Sequence, residues 1–356
     1  MRCRHAPADT RTHGCPGNPG VRDASAYWEP DPAHQAASVW LVAMRDAKSQ
    51  RRGRYLRESA RHPAKMLPDL ARHAIVHYTR PEELVLDPMC GIGTTLIEAL
   101  HAGRHAVGVE LEPRWAQLAR ANIELARLQG ATGRGTVRIG DARRLADRPL
   151  APPSTCGRTG GARPVALLLT SPPYGQHTHG HGYTRPGSVI KTHFRYSPTR
   201  RGSTNLAHQD VDRLLVGFTD ILTAAVSHLR PGGHAVITAR PYRRDGELVD
   251  FPSGVITAAE TAGLTLIDRG VAPLAGIRNG HLVHRAAFFP RLHAADARAA
   301  GVPQQVPLHE DILIFRYLPS CLSSRELKCS QRELEGAQRS SCHVGTRVSA
   351  EPERVS

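Results

Sequence analysis

Two hydrophobic periods alternate through the middle of the chain. Short runs that are apolar almost throughout, Glu83–Asp87 (ELVLD), Ala106–Leu111 (AVGVEL) and Val165–Thr170 (VALLLT), read as strands buried on both faces. Between them, apolar residues recur every three or four positions over Leu67–His77, Thr94–Ala102 and Pro113–Gln129, which predicts helices. Val137–Gly140 is a further short strand. Asp210–Leu229 is an amphipathic helix with Pro231-Gly232-Gly233 as its stop, and Ser253–Ala262 is another helix. His234–Ala239, Leu264–Asp268 and Asp311–Phe315 (DILIF) complete the strands. This alternation predicts an α/β fold with a doubly wound, mostly parallel sheet, whose ligands bind beyond the carboxyl ends of the strands. The patterned body spans 38–318. Residues 1–37 and 319–356 are polar and aperiodic, and are expected to be disordered.

The residues that follow strands carry the chemistry. The first strand runs into Asp87-Pro88-Met89-Cys90-Gly91-Ile92-Gly93-Thr94-Thr95. A glycine pair between strand and helix lets backbone approach a ligand and aims helix N–H groups at it. Leu96 stands where a dinucleotide fingerprint needs its third glycine, which argues against an oxidoreductase. Glu110 ends the second strand, at the distance where an acidic residue grips a ribose diol, and Gly140-Asp141-Ala142 ends the third. Three carboxylates on successive strand ends suit a nucleoside that carries an amino acid. The bland alternative is that each caps the helix after it.

On these residues the chain resembles the S-adenosylmethionine-dependent amino-methyltransferases of nucleic acids. DPMCGIGTT is similar to their first motif, GVELEP to the second and GDAR to the third, while His62-Pro63-Ala64-Lys65-Met66-Leu67-Pro68 is similar to the segment that closes over the cofactor's methionine end. The resemblance covers 60–175 strongly and 205–318 as fold pattern. It implies a Rossmann-like class I methyltransferase fold, with S-adenosylmethionine held by Pro63, Lys65, Asp87, Pro88, Gly91, Gly93, Thr94, Glu110, Asp141 and Ala142.

Ser171-Pro172-Pro173-Tyr174, directly after VALLLT, then becomes the candidate catalytic corner. An exocyclic amine on a base is a poor nucleophile because its lone pair is delocalised into the ring. Acceptors such as the Ser171 hydroxyl and the Pro172 carbonyl would localise that lone pair, Pro173 would stiffen the corner, and Tyr174 would offer a face to an extruded base. The alternative is an ordinary proline turn, with Tyr174 as a core aromatic.

Composition modifies this picture modestly. The formal charge is +15, from 47 Lys and Arg against 32 Asp and Glu, which suits a polyanionic partner. Arginine dominates the basic residues, as a GC-rich genome would impose, so charge alone argues weakly. Its distribution says more. The stretch 175–209 has no acidic residue, and mixes Arg185, Lys191, Arg195, Arg200 and Arg201 with Tyr183, Phe194 and Tyr196, a composition suited to phosphate contact and base stacking. Arg185, Lys191, Arg195, Tyr196, Arg200 and Arg201 are the expected nucleic-acid contacts. Two further basic runs, 51–62 and 240–244, fit a solvated face equally well.

His177, His179 and His181 alternate on the same loop without a carboxylate or cysteine nearby, and the seven cysteines form no C-x-x-C pair, so no metal is expected. No apolar run is long enough to span a bilayer, and the start of the chain lacks a signal peptide's apolar core, so a cytoplasmic location is the default.

The leading expectation is methyl transfer to an exocyclic amine in DNA, cytosine N4 ahead of adenine N6, because relatives with Ser in the first position of the motif favour cytosine. The alternative is a tRNA guanosine N2-methyltransferase, although such relatives usually show Asp-Pro-Pro-Tyr and an additional N-terminal domain. A catalytically silent nucleic-acid-binding protein is the reading from another class.

Overall fold

A seven-stranded sheet carries every element that matters for the site. This computed structural model describes residues 37–147, 150, 164–174, 181–185, 188–192, 205–244, 247–285 and 288–319. The strands are β1 (Leu84–Asp87), β2 (His105–Glu110), β3 (Gly135–Ile139), β4 (Val165–Thr170), β7 (Leu229–Ala239), β10 (Leu264–Pro273) and β13 (His309–Tyr317), in the order β10-β13-β7-β4-β1-β2-β3. All neighbours pair in parallel except β13, which runs antiparallel to both β7 and β10. This is the doubly wound, mostly parallel arrangement expected from the sequence. The antiparallel β13 matters for the site, because its first residues lie at the same sheet edge as the last residues of its neighbours.

Both faces of the sheet are buried, which is why the strands are apolar throughout. Leu84 and Leu86 of β1 face one core with Leu313 and Phe315, whereas Val85 faces the other with Ile312 and Ile314. The first core is closed by α5 (Val211–Val226) and α6 (Phe251–Thr261), through Phe218 and Phe251. The second is closed by α2 (Pro68–Tyr78), α3 (Thr94–His101) and α4 (Pro113–Leu128), with Trp40, Tyr55 and Trp115.

The segment before α2 is tied to this second face. Asp46 caps the short helix α1 (Ala47–Arg51), and Arg54 makes a two-pronged bond to buried Glu98 on α3 at 2.9 and 2.8 Å. The Tyr55 hydroxyl donates to the same carboxylate at 2.6 Å. Buried Asn122 accepts from Leu56 N–H and donates to Ile92 O, at 3.0 Å each. Part of the first basic run is therefore committed to folding, while Arg52, Arg57 and Arg61 stay exposed.

Several elements differ from the sequence reading. Pro231-Gly232-Gly233 does not stop the helix: α5 ends at Val226, and the three residues lie inside β7. There the β4–β7 register shifts, and Gly232 takes a positive φ of 75°, so the segment is an irregular strand start. β10 and β13 extend past their apolar cores because they pair with one another along their whole length. Three hairpins were not expected: β5 (His181–Arg185) with β6 (Ser188–Thr192), β8 (Tyr242–Arg244) with β9 (Glu247–Val249), and β11 (Ala275–Arg278) with β12 (His281–His284). Helix α7 (Phe288–Ala299) follows the last of them. Residues 1–36 and 320–356, expected to be disordered, lie outside the described residues.

Gly108 on β2 shows how tightly the sheet meets the loop after β1. A Cβ there would stand 2.7 Å from Cys90 Sγ and 3.0 Å from Leu96 Cδ2. Gly108→Ala is expected to destabilise the protein by about 1–3 kcal/mol through overpacking, read as a lower urea midpoint with an unchanged slope.

Candidate active site

The carboxyl ends of β1, β2, β3, β4 and β7 and the start of β13 converge on one cavity of about 400 Å³, within the usual range of small-molecule sites. Its wall includes Asp87, Gly91, Glu110, Asp141 and the whole Ser171–Tyr174 corner. Residues that lie far apart in the chain meet here because parallel strands deliver their ends to one edge.

Of the three carboxylates, Asp87 bonds the largest number of different residues. Its Oδ1 accepts from Met89 N–H at 3.1 Å and from Thr170 Oγ1 at 2.9 Å, and its Oδ2 accepts from Thr95 Oγ1 at 2.6 Å. One side chain thus ties together the end of β1, the start of α3 and the last residue before Ser171. Burial pushes its carboxyl up to about 6, against the pull of the Thr95 and Met89 bonds. Gly91 and Gly93 follow with φ of 52° and 84°, a left-handed backbone that other residues adopt only under strain.

Glu110 closes the turn from the other side. Its Oε2 accepts from Gly91 N–H and its Oε1 from Glu112 N–H, both at 2.8 Å. Burial raises it to about 7, with the like charges of Glu112 and Asp87 adding to the shift. Neither Asp87 nor Glu110 caps a helix: Gly93 and Glu112 occupy the cap positions and make no side-chain cap bond. Asp141 does cap, accepting from Arg143 N–H at 3.1 Å, and it also pairs with the Arg143 guanidinium at 2.5 Å. Partial burial would raise Asp141, but the Arg143 bonds hold it below the ordinary range.

His62 covers the glycine turn. A Cβ on Gly91 would stand 3.1 Å from the His62 ring, which also approaches Trp115 edge-on at 4.7 Å and bonds the Ala64 carbonyl. Lys65 donates to the His62 and Ala60 carbonyls, and burial lowers its ammonium to about 8, helped by nearby Arg51. Pro63 and Lys65 line the cavity with Thr94 and Ala142, whereas Pro88 and Gly93 do not line it.

At the Ser171–Tyr174 corner, Pro172 is buried, and Ser171, Pro173 and Tyr174 are half-buried. Tyr174 packs against Phe251 and Tyr242, with ring centroids 5.3 and 6.0 Å away. Its hydroxyl donates to Glu310 Oε2 at 3.0 Å, and the Arg240 guanidinium lies over its ring at 5.3 Å. Arg240 also reaches Glu310 at 3.9 Å. The ring therefore serves the core and the cavity wall together. Burial raises both the Tyr174 phenol, far above 10, and the Glu310 carboxyl.

Sequence reasoning did not single out Thr95, Glu112, Asn205, Arg240, Arg285 or Glu310, all of which line the cavity. Asn205 donates to buried Glu112 at 3.0 Å, joining the end of the basic loop to the cofactor side. Of the expected nucleic-acid contacts, Arg185 and Lys191 lie on the strands of the β5–β6 hairpin. Arg195, Tyr196, Arg200 and Arg201 lie outside the described residues. Among the described residues, no group of three or more His, Cys, Asp or Glu is placed to hold a metal ion, and no helix is long and apolar enough to cross a membrane.

A family model for N6/N4-type DNA methylases (N6_N4_Mtase) matches residues 18–121, less than a third of the chain. A tRNA (guanine(10)-N2)-dimethyltransferase of Methanocaldococcus jannaschii is 38% identical over 86 residues, 24% of each chain. The type II methyltransferase M.BglI of Bacillus subtilis is 36% identical over 69 residues, 19% of this chain and 20% of that one. The matches thus span about a quarter or less of these curated relatives. Among solved structures, TrmN from Thermus thermophilus superposes with a TM-score of 0.41 at 18% identity, covering 76% of this chain and 53% of its own. The similarity to the amino-methyltransferases of nucleic acids, expected from the motifs, is borne out.

The raised carboxyls have a consequence for stability. A group that binds its proton more tightly when folded lends stability at low pH, and that stability is lost as pH rises through the folded value. For Asp87 that value is about 6. The ligand-free protein is expected to lose melting temperature as pH rises from the ordinary carboxylate range through about 6, and Asp87→Asn to lose less. Parallel slopes for the two proteins in pH-dependent thermal melts would reject the assignment.

Proposed function

We propose that the chain transfers a methyl group from S-adenosylmethionine to an exocyclic amino nitrogen of a base in DNA, cytosine N4 ahead of adenine N6. The observation that carries this reading is that Ser171–Tyr174 shares one cavity with Asp87, Glu110 and Asp141. A cavity built only to hold a nucleoside would not need a rigid, donor-poor corner in its wall.

The residues present fit the cofactor. Each oxygen of Glu110 has one backbone N–H partner and retains acceptor capacity for a ribose hydroxyl. Asp87 offers a buried negative charge to an ammonium group, and both carboxyls are held in a state that a cationic or hydroxyl-bearing ligand would relieve. The left-handed Gly91–Gly93 turn allows close backbone approach, and Pro63 and Lys65 form the outer wall. Bound there, the cofactor supplies a methyl group on a sulfonium centre.

The chain's own part is positioning. Thr170, held by Asp87, fixes where the corner begins. The Ser171 hydroxyl and Pro172 carbonyl accept from the target amine, turning its lone pair out of the ring plane and stabilising the positive charge that grows on nitrogen. No strong base is required, since the amine becomes acidic once methylated and its proton can leave to water. The Arg240 guanidinium at the Tyr174 ring is a donor suited to ring-nitrogen and carbonyl acceptors beside the amine, as on cytosine. The basic stretch 175–209, with Arg185, Lys191, Arg195, Tyr196, Arg200 and Arg201, would track the phosphate backbone. The partial match to a tRNA guanine N2-dimethyltransferase supports a second reading, methylation of guanosine N2 in tRNA.

Nucleoside mass spectrometry of DNA and tRNA from cells with and without the gene separates these readings. N4-methylcytosine in DNA that depends on the gene is expected; a change confined to tRNA would overturn the DNA assignment. In vitro, Asp87→Ala and Glu110→Ala are each expected to abolish adenosylmethionine binding by calorimetry. Tyr174→Ala should keep cofactor affinity and lose turnover, and undiminished turnover would remove Tyr174 from the target pocket.

A further inference from the structure

The β11–β12 hairpin rises from the rim of the same cavity. Leu274 and Arg285, the residues flanking it, both line that cavity, and Arg285 N–H donates to Leu274 O at 2.8 Å to close its base. The base is fixed to the body: Arg285 Nη2 donates to Met44 O at 3.2 Å, and Gly276 lies so close to the 43–44 backbone that a Cβ would stand 3.0 Å from Met44 O. The tip, Asn279-Gly280, has φ of 52° and 76°, the left-handed pair of a tight two-residue hairpin turn. The arm is therefore short and anchored.

Its outer face is unusual for a surface hairpin. Ile277 and Leu282 are direct cross-strand partners, so their side chains stand together on one face, and they are 63% and 60% exposed. Arg278 and His281 pair one position nearer the tip, with side chains on the opposite face, and both are exposed. From 269 to 295 the sequence holds Arg269, Arg278, Arg285 and Arg291 and no acidic residue. An aliphatic pair with a cation one position nearer the tip, at the mouth of a cavity proposed to take a base out of its stack, matches the chemistry of a nucleic-acid wedge. Apolar side chains enter between base steps while cations hold the adjacent phosphates.

We propose that the β11–β12 hairpin is a DNA-entering arm: Ile277 and Leu282 press into the stack of duplex DNA beside the extruded base, and Arg278 holds the flanking phosphate. This rests on the DNA reading above and adds a contact surface to it. Position and charge together favour duplex DNA as the occupant.

The experiment measures binding of the full chain to a fluorescein-labelled DNA duplex by anisotropy across salt concentrations. Each preparation is also titrated with adenosylmethionine by calorimetry. Ile277→Ser/Leu282→Ser is expected to weaken duplex affinity about tenfold or more, since two branched aliphatic side chains lose their burial, without changing the salt dependence. Arg278→Ala should instead flatten the slope of log affinity against log salt by about one. Both variants should keep wild-type cofactor affinity, because none of the three residues lines the cavity. Unchanged duplex affinity in the double variant would overturn the proposal, as would a wild-type protein that binds tRNA but not duplex DNA. A wild-type protein that fails to bind adenosylmethionine would instead overturn the underlying methyltransferase reading.

Discussion

Much of the site hangs on the Asp87 carboxylate and its three bonds. It stands where β1 ends, and it holds Thr170, Thr95 and Met89 at once. Thr170 is the last residue before the Ser171 corner, and Thr95 is the second residue of the helix behind the glycine turn. A single buried acceptor thus sets the distance between the glycine turn and the proline corner. The proposed in-line methyl transfer would need that distance fixed to within a fraction of an ångström, because misalignment of donor and acceptor removes most of the advantage of holding them together.

The same carboxylate makes the ligand-free site uneasy. Asp87 and Glu110 are both buried, which raises them into the physiological range, and the charge of Asp87 adds to the shift of Glu110. Most buried carboxylates are paired with a cation; these two take backbone N–H groups and hydroxyls instead. Such an arrangement costs some stability, which a ligand bringing positive charge or hydroxyl donors would restore. Asp141 shows the contrast, since Arg143 neutralises it and partial solvent access relaxes it.

Legibility in the sequence followed burial and locality. β1, β2 and β4 were evident because strands covered on both faces must be apolar at every position, and β1 and β2 end on acids that stop the run. The glycine turn and the proline corner were evident because unusual backbone needs unusual residues. Arg240 and Glu310 were not, since they meet only because β13 runs antiparallel to β7 and brings Asp311 opposite Ala239. That pairing leaves no local trace. The β11–β12 hairpin did leave one: Asn279-Gly280 between Ile277 and Leu282 is a strong hairpin signal, masked by its place in a stretch with no long apolar run. Pro231-Gly232-Gly233 misled for the opposite reason. Residues that usually end helices also permit an irregular strand start, and the backbone of β4 decided between the two.

The excess of positive charge resolves into two populations once the fold is known. Arg54 and Arg240 are turned inward to Glu98 and Glu310, where burial makes a paired guanidinium part of the framework. Arg52, Arg57, Arg61, Arg243, Arg244 and Arg278 remain exposed. A net charge of +15 therefore overstates the surface available to a polyanion if read as one uniform field. Under the proposed function, a nucleic acid would be drawn by the local imbalance of charge in the acid-free stretches 175–209 and 269–295. These come from separate parts of the chain, one after β4 and one between β10 and β13. Because β13 returns antiparallel, the second stretch reaches the strand edge where the first begins.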